Sequence, residues 1–424
     1  MRYLYSALFY LLLPVIVLRM LWRSRRAPAY RARLAERFGL FDAGGLGGAE
    51  SIWVHAVSVG ETLAAAPLIE SLLERYPDHP LVVTTTTPTG SERVRALFGD
   101  RVFHVYAPWD LPGAVRRFLQ TTRPRLLLIM ETELWPNMLH YTAAAGCCTL
   151  LANARLSERS AKGYARFRAL TRDMLQDLDT VACQAEADGR RFLSLGLPEA
   201  ALHVTGSIKF DLELDAGMRE QAAQLRTELD AAQRPVLVAA STHPGEDELV
   251  LQAFSRVRET QDNCLLVLVP RHPERFDEVF ALCRQAGWQV QRRSTGAPPA
   301  MADDILLGDT MGELVLLLGA ATVAVIGGSL VEHGGHNVLE PAAWGVPVVT
   351  GPYMFNFAEV TELLVAAGGM IRLEDPAQLG ECLQALLRDP RRRLQMGTAG
   401  QQVVADNRGA RNRLLCLIAG HMAS

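Results

Sequence analysis

Short apolar runs alternating with amphipathic helical patterns constrain this chain more than any other feature. "SIWVH", "LVVTT", "VFHVY", "LLLIM", "CTLLA", "TVAC" and "HVT" punctuate the first half, separated by segments such as "AVRRFLQTT" and "SERSAKGYARFRALTRDMLQDL". A polar helical stretch, "GSIKFDLELDAGMREQAAQLRTELDAAQRP", interrupts the rhythm. It then restarts with "VLVAAS", "CLLVLVP", "WQVQR", "DILLG", "TVAVIG", "VPVVTG" and "GMIRL". Runs this rich in valine and leucine are strands buried on both faces, and strand–helix alternation makes the sheet parallel. The chain is therefore predicted to be α/β, with two doubly wound domains facing a cleft that binds ligands at the C-terminal strand ends. The expected boundaries are 51–208 for the first domain, 209–235 for a linker and 236–424 for the second. The last helix of that second domain is free to pack back on the first. A chain of 424 residues has room for this plan.

Ahead of the first strand stands "MRYLYSALFYLLLPVIVLRMLW", a nearly unbroken apolar stretch about as long as the ~20 residues that cross a bilayer. Tyr3, Tyr5, Tyr10 and Trp22 supply interfacial aromatics near its ends, and Arg19 can snorkel to a boundary. No small-residue cleavage site follows, so residues 1–22 are expected to stay as an anchor. An arginine-rich flank, "RSRRAPAYRARLAERF", and a glycine-rich connector, "DAGGLGGAE", occupy 23–50. The positive-inside rule puts that flank in the cytoplasm, where its arginines can face anionic membrane lipids. Pro14 keeps a second reading open, in which the helix lies on the membrane without spanning it. A net charge of −3 makes no case for nucleic acid. The cysteines show neither CxxC nor zinc-ligand spacing, which suits buried thiols in a reducing compartment.

Polar groups collect where the strands end. Neither half carries GxGxxG or a P-loop. "WVHAVSVGE" runs a strand into Glu61 at the start of a helix, where a carboxylate serves either the helix dipole or catalysis. "LLLIMETELWPNM" does the same with Glu131 and Glu133, costly carboxylates unless paired, solvated or functional. "LLANARLSERS" adds Asn153 and Ser157, for which turn-making and capping weigh as much as function. In the second half Ser241-Thr-His243 ends one strand, and Arg271-His272 ends another with an arginine able to grip a phosphate. Asp309-Thr310-Met311-Gly312 reads as a tight turn with amides free for an anion. In "GGSLVEHGGHNVLEP" the glycines suit close approach to a ligand, and Asn337 and Glu340 share one helix face. Asp177-Leu-Asp179 sits at a helix end, and His333 and His336 lack the neighbours of a zinc set. No resident metal or cofactor is expected.

Together "SVGE", "ETELWPN", "NARLS", "GSIKFD", "PRHPERF", "GDTMGEL" and "GGHNVLEP" resemble the Kdo transferases, which add 3-deoxy-D-manno-octulosonic acid (Kdo) to the lipid A precursor of Gram-negative bacteria. The likeness covers essentially the whole chain. It implies a two-Rossmann (GT-B type) glycosyltransferase that uses CMP-Kdo and inverts the anomeric centre. By that resemblance Glu61 is the general base, Glu131 the second essential glutamate and Lys209 the lysine of "GSIKFD". The CMP portion is assigned to Arg271 and His272, to Thr310, Met311 and Gly312, and to Asn337, Val338, Leu339 and Glu340. Two other readings remain. One is a related UDP-sugar transferase or epimerase of the same architecture. The other is a membrane-tethered nucleotide-binding module with no use for Glu61 and Glu131.

Overall fold

In the computed structural model, which describes residues 1–25 and 28–423, every one of those apolar runs forms a strand. The first sheet contains β1 (Ser51–His55), β2 (Leu81–Thr85), β3 (Phe103–Tyr106), β4 (Pro124–Met130), β5 (Cys148–Ala154), β6 (Thr180–Cys183) and β7 (Leu202–Val204). Their spatial order is β3-β2-β1-β4-β5-β6-β7, all parallel. Period-two geometry divides each strand between two cores. Trp53, Leu127 and Ile129 point into one, while Ile52, Val54, Leu126 and Leu128 point into the other. Both faces are covered, so these strands read as unbroken apolar runs. Each such leucine or isoleucine contributes roughly 1.5–3 kcal/mol on burial.

The second sheet contains β8 (Val236–Thr242), β9 (Leu265–Pro270), β10 (Val290–Arg292), β11 (Ile305–Leu307), β12 (Val323–Ile326), β13 (Val348–Thr350) and β14 (Met370–Arg372). Its order is β10-β11-β9-β8-β12-β13-β14, again parallel throughout.

The chain divides into residues 1–209 with 409–424, and residues 210–408. The segment expected as a linker, 209–235, is instead mostly built into the second unit. Phe210, Leu225 and Leu229 are buried in its core, and Ala216–Glu228 is helical. The C-terminal helix Ala410–Ala423 packs back on the first unit. Ala410, Leu414, Leu415 and Ile418 join the Ile52–Val54 core, and Thr180 Oγ1 lies 2.8 Å from His421 Nε2. The long helical pattern 157–178 also breaks in two, because Phe167 leaves helical geometry between Glu158–Ala165 and Arg168–Gln176.

Helix α1 (Arg2–Arg23) is long and apolar enough to cross a membrane. One of its faces nonetheless packs on the first unit. Phe9, Leu13, Ile16, Val17 and Met20 lie against a cluster of Trp109, Leu111 and Ala114. Ser6 Oγ donates to Asn137 Oδ1 at 3.0 Å, next to Asp110, whose carboxylate accepts from the amides of Asn137 (3.0 Å) and Met138 (2.7 Å). Leu4, Leu8, Leu11, Val15, Leu18 and Trp22 remain exposed on the rest of the helix. Part of the arginine flank also turns inward. Arg37 is buried and donates to Thr86 O at 2.8 Å, while Arg33 donates to Glu36 at 2.5 Å and stacks on Tyr106. Arg19, Arg23, Arg25 and Arg31 stay exposed, and Arg26 lies outside the described residues.

Candidate active site

In the first sheet the strand order reverses between β1 and β4, and ligands of open parallel sheets bind outside the strand ends at such a reversal. Both expected glutamates are there. Helix α2 (Val59–Arg75) follows β1, with Ser58 as its N-cap and Glu61 in its first turn. Glu61 Oε2 accepts from the Val57 amide at 2.7 Å, and Oε1 accepts from Ser58 Oγ at 2.9 Å. This is a capping-box relationship displaced by one residue, so the dipole reading of Glu61 holds. The carboxylate is nevertheless strained as an anion. Burial pushes its pKa up to about 7 against the pull of those two hydrogen bonds, and the charges of Glu133 and Glu131 push the same way. Glu61 is only 9% exposed.

Glu131 follows β4 with a left-handed backbone, φ +58°, and its amide donates to Ala152 O at 2.9 Å. Asn153, at the end of β5, also has positive φ, +54°. Two non-glycine residues held in this region at adjacent strand ends mark backbone that the fold over-determines, a pattern concentrated at functional sites. Lys209 Nζ lies 3.6 Å from Glu131 Oε1, both half-buried. Asn153 explains how the lysine gets there, since its fully buried Oδ1 accepts from the Ile208 amide at 3.1 Å. Its role is therefore turn-making, and Ser157 is a plain N-cap that accepts from the Ser160 amide. Glu133 is taken by Trp135 Nε1 at 2.9 Å. Asp179 likewise has a structural use, accepting from the Thr149 amide at 2.7 Å.

In the second sheet the order reverses between β8 and β12. Arg271 and His272 are exposed just past the end of β9. Asn337 Nδ2 donates to Glu340 Oε1 at 3.0 Å, and burial raises the Glu340 pKa while Arg271 pulls it down. Val338 and Leu339 have fully buried side chains, which leaves only their backbone for a ligand. Thr310 hydrogen-bonds Glu313, which also pairs with Arg293 at 3.1 Å. Met311 is exposed, and a Cβ at Gly312 (φ +86°) would meet nothing within 4 Å, so that turn is open on one side. The glycines after β12 differ from expectation. A Cβ at Gly335 would stand 2.2 Å from Met354 Sδ, so this glycine admits protein rather than a ligand.

Residues 32–212 match the model of the 3-deoxy-D-manno-octulosonic-acid transferase (kdotransferase) family, and 246–403 match glycosyl transferases group 1. A 3-deoxy-D-manno-octulosonic acid transferase of Haemophilus influenzae is 42% identical over 99% of both chains. One of Bordetella pertussis is 40% identical over 95% of both. The chain belongs to the Kdo transferase family. As a glycosyltransferase of this family it shares its two-unit α/β fold with more distant proteins. UDP-GlcNAc 2-epimerase from Neisseria meningitidis superimposes with a TM-score of 0.57, covering 87% of this chain and all of that one, at 13% identity. At that identity the likeness speaks for the fold alone.

Within this Kdo transferase the structure brings Glu61, Glu131 and Lys209 together in the first unit, and Arg271, His272, Asn337 and Glu340 in the second. Sequence reasoning passed over Ser58, although Ser58-x-x-Glu61 is a legible capping box. It also passed over the grouping of His243, His333 and His336, for which no local spacing gives a signal.

Proposed function

We propose that this Kdo transferase moves Kdo from CMP-Kdo to a lipid A precursor on the cytoplasmic side of the inner membrane, with inversion at the anomeric carbon. The acceptor hydroxyl oxygen attacks that carbon, its proton passes to Glu61, and the bond to the phosphate oxygen breaks with its electron pair leaving on CMP. The observation that carries the reading is Glu61, a buried carboxylate at the β1–β4 reversal whose pKa of about 7 suits a general base at neutral pH. Each of its oxygens has one donor and keeps a lone pair for the acceptor. Lys209, held against Glu131, supplies positive charge on the acceptor side. Arg271 and His272 take the phosphate. A monophosphate leaving group carries less charge than a diphosphate, so these cations meet the need for stabilisation without a resident metal.

Helix α1 serves the lipid acceptor. With one face fastened to the first unit, it lies along the membrane surface and turns Leu4, Leu8, Leu11, Val15 and Leu18 to the acyl region. Arg19, Arg23, Arg25 and Arg31 meet anionic headgroups. Purified protein incubated with CMP-Kdo and lipid A precursor should yield a product heavier by one or more Kdo units in mass spectrometry. No mass increase with a folded protein would sink the proposal.

A further inference from the structure

Four imidazoles converge at the reversal point of the second sheet. His243 follows β8, His272 follows β9, and His333 and His336 stand in the loop after β12. His243 Nε2 is 2.8 Å from His336 Nε2, and the two rings are nearly coplanar in orientation, 6° apart. His333 stacks on His243 with centroids 4.2 Å apart, and His272 meets it edge-on at 5.6 Å. His243 is 9% exposed and His336 half-buried, whereas His272, His333 and Arg271 open to solvent. Two ring nitrogens this close share one proton, one donating and the other accepting.

The surrounding charges make the cluster short of negative partners. Glu246 is fully buried, and its carboxylate is spent on the amides of His243, Gly328 and Leu330. Asp247 is held by Arg275 at 2.5 Å and by Thr242, and Glu340 by Asn337. Among the described residues no carboxylate pairs with any of the four rings. Burial, with His333, His272, Arg271 and Arg275 nearby, holds His243 down at about 4, and burial with His243, Arg271, His272 and His333 does the same to His336.

We propose that these four rings and Arg271 form an anion site for the donor's phosphate or carboxylate, and that filling it draws a proton onto the His243–His336 pair. The proposal rests on the reading of the donor as a sugar acid linked to a nucleoside monophosphate. An anion brings the negative charge the cluster lacks, so imidazolium becomes affordable only in its presence, and the shared-proton pair is the place to store it. Recognition and protonation are then one event. The charge-assisted bond formed this way is about twice as strong as a neutral one.

Calorimetry on the full-length protein at pH 7.5, repeated in buffers of low and high ionisation enthalpy, reads the protons directly. CMP, cytidine, inorganic phosphate and free Kdo are the probes. CMP should bind with measurable proton uptake, and cytidine with none. Phosphate or Kdo sharing the uptake identifies which group fills the site. His336→Gln and His243→Gln should abolish the uptake and weaken CMP by about tenfold or more while sparing cytidine. If either variant is poorly folded by thermal unfolding, His333→Gln, at an exposed ring, should still reduce the uptake. CMP binding without proton exchange overturns this proposal and leaves the donor reading standing. Uptake with phosphate but no binding of CMP keeps the anion site and removes the donor reading. Binding of none of the anions rejects both.

Discussion

Ser58 and Glu61 satisfy each other across the first turn of α2: the serine hydroxyl donates to Glu61 Oε1 at 2.9 Å, and the Glu61 amide returns to that same hydroxyl at 3.3 Å. The cap and the proposed base are thus one carboxylate. The hydrogen bonds that fix its orientation also keep it more acidic than burial alone would, which tunes it toward neutrality instead of far above it.

The first expectation is a pH profile. Glu61 must be ionised to accept a proton, so kcat/KM should rise with pH through an apparent pKa near 7. Glu61→Gln should remove at least a hundredfold of the rate. Its stability should respond with the opposite sign to ordinary carboxylates. The folded pKa lies above the usual 4.5, so ionisation destabilises the parent as pH rises from about 4.5 through about 7. Glu61→Gln should therefore match the parent at pH 4 and exceed it by roughly 1–3 kcal/mol at pH 8 in urea denaturation. A flat rate profile, or full turnover by the variant, would remove Glu61 from the mechanism.

Ser58→Ala tests the coupling between cap and base. Losing the cap should cost about 1 kcal/mol of stability. Losing the donor should raise the Glu61 pKa further, shifting the rising limb of the rate profile to higher pH. A variant that loses stability with an unmoved profile would confine Ser58 to the helix.

Much of this was legible in the sequence, and the reason is physical. Burial on both faces leaves an unbroken apolar run, so β1, β4 and β8 can be recognised without knowing what covers them. Carboxylates that follow such runs, Glu61 and Glu131, stand out because burial makes them costly. What stayed hidden depends on sheet order. His243 and His336 are 93 residues apart and meet only because β12 lies beside β8. Ser6 and Asn137 are 131 apart and meet only because α1 folds back on the first unit. The inward turn of Arg33 and Arg37 is equally invisible locally, since a run of arginines reads the same whether it faces water, lipid or Tyr106.

Arg271→Ala should weaken CMP binding by roughly 1.5–3 kcal/mol in calorimetry, the worth of a charge-assisted hydrogen bond. Unchanged affinity would put the phosphate elsewhere. Adding a chelator should leave turnover unaltered, and a strict requirement for magnesium would overturn the assignment of charge stabilisation to Arg271, His272 and Lys209.

Deleting residues 1–22 separates the two roles of α1. The sheet cores do not include it, so the shortened protein should fold and give a parent-like circular dichroism spectrum. Its melting temperature should nonetheless fall, because the deletion uncovers Trp109 and Leu111 and takes Ser6 away from Asn137, the last residue of "ETELWPN". On acceptor dispersed in detergent, confinement to a surface no longer matters and activity should largely persist. On acceptor in anionic vesicles the loss should be greater, and the remainder should fall further at high salt, because the proposed contacts of Arg23, Arg25 and Arg31 with headgroups are screened. Equal loss in detergent and in vesicles, with the fold intact, would mean that α1 acts through Asn137 on the Glu131 turn rather than through the membrane.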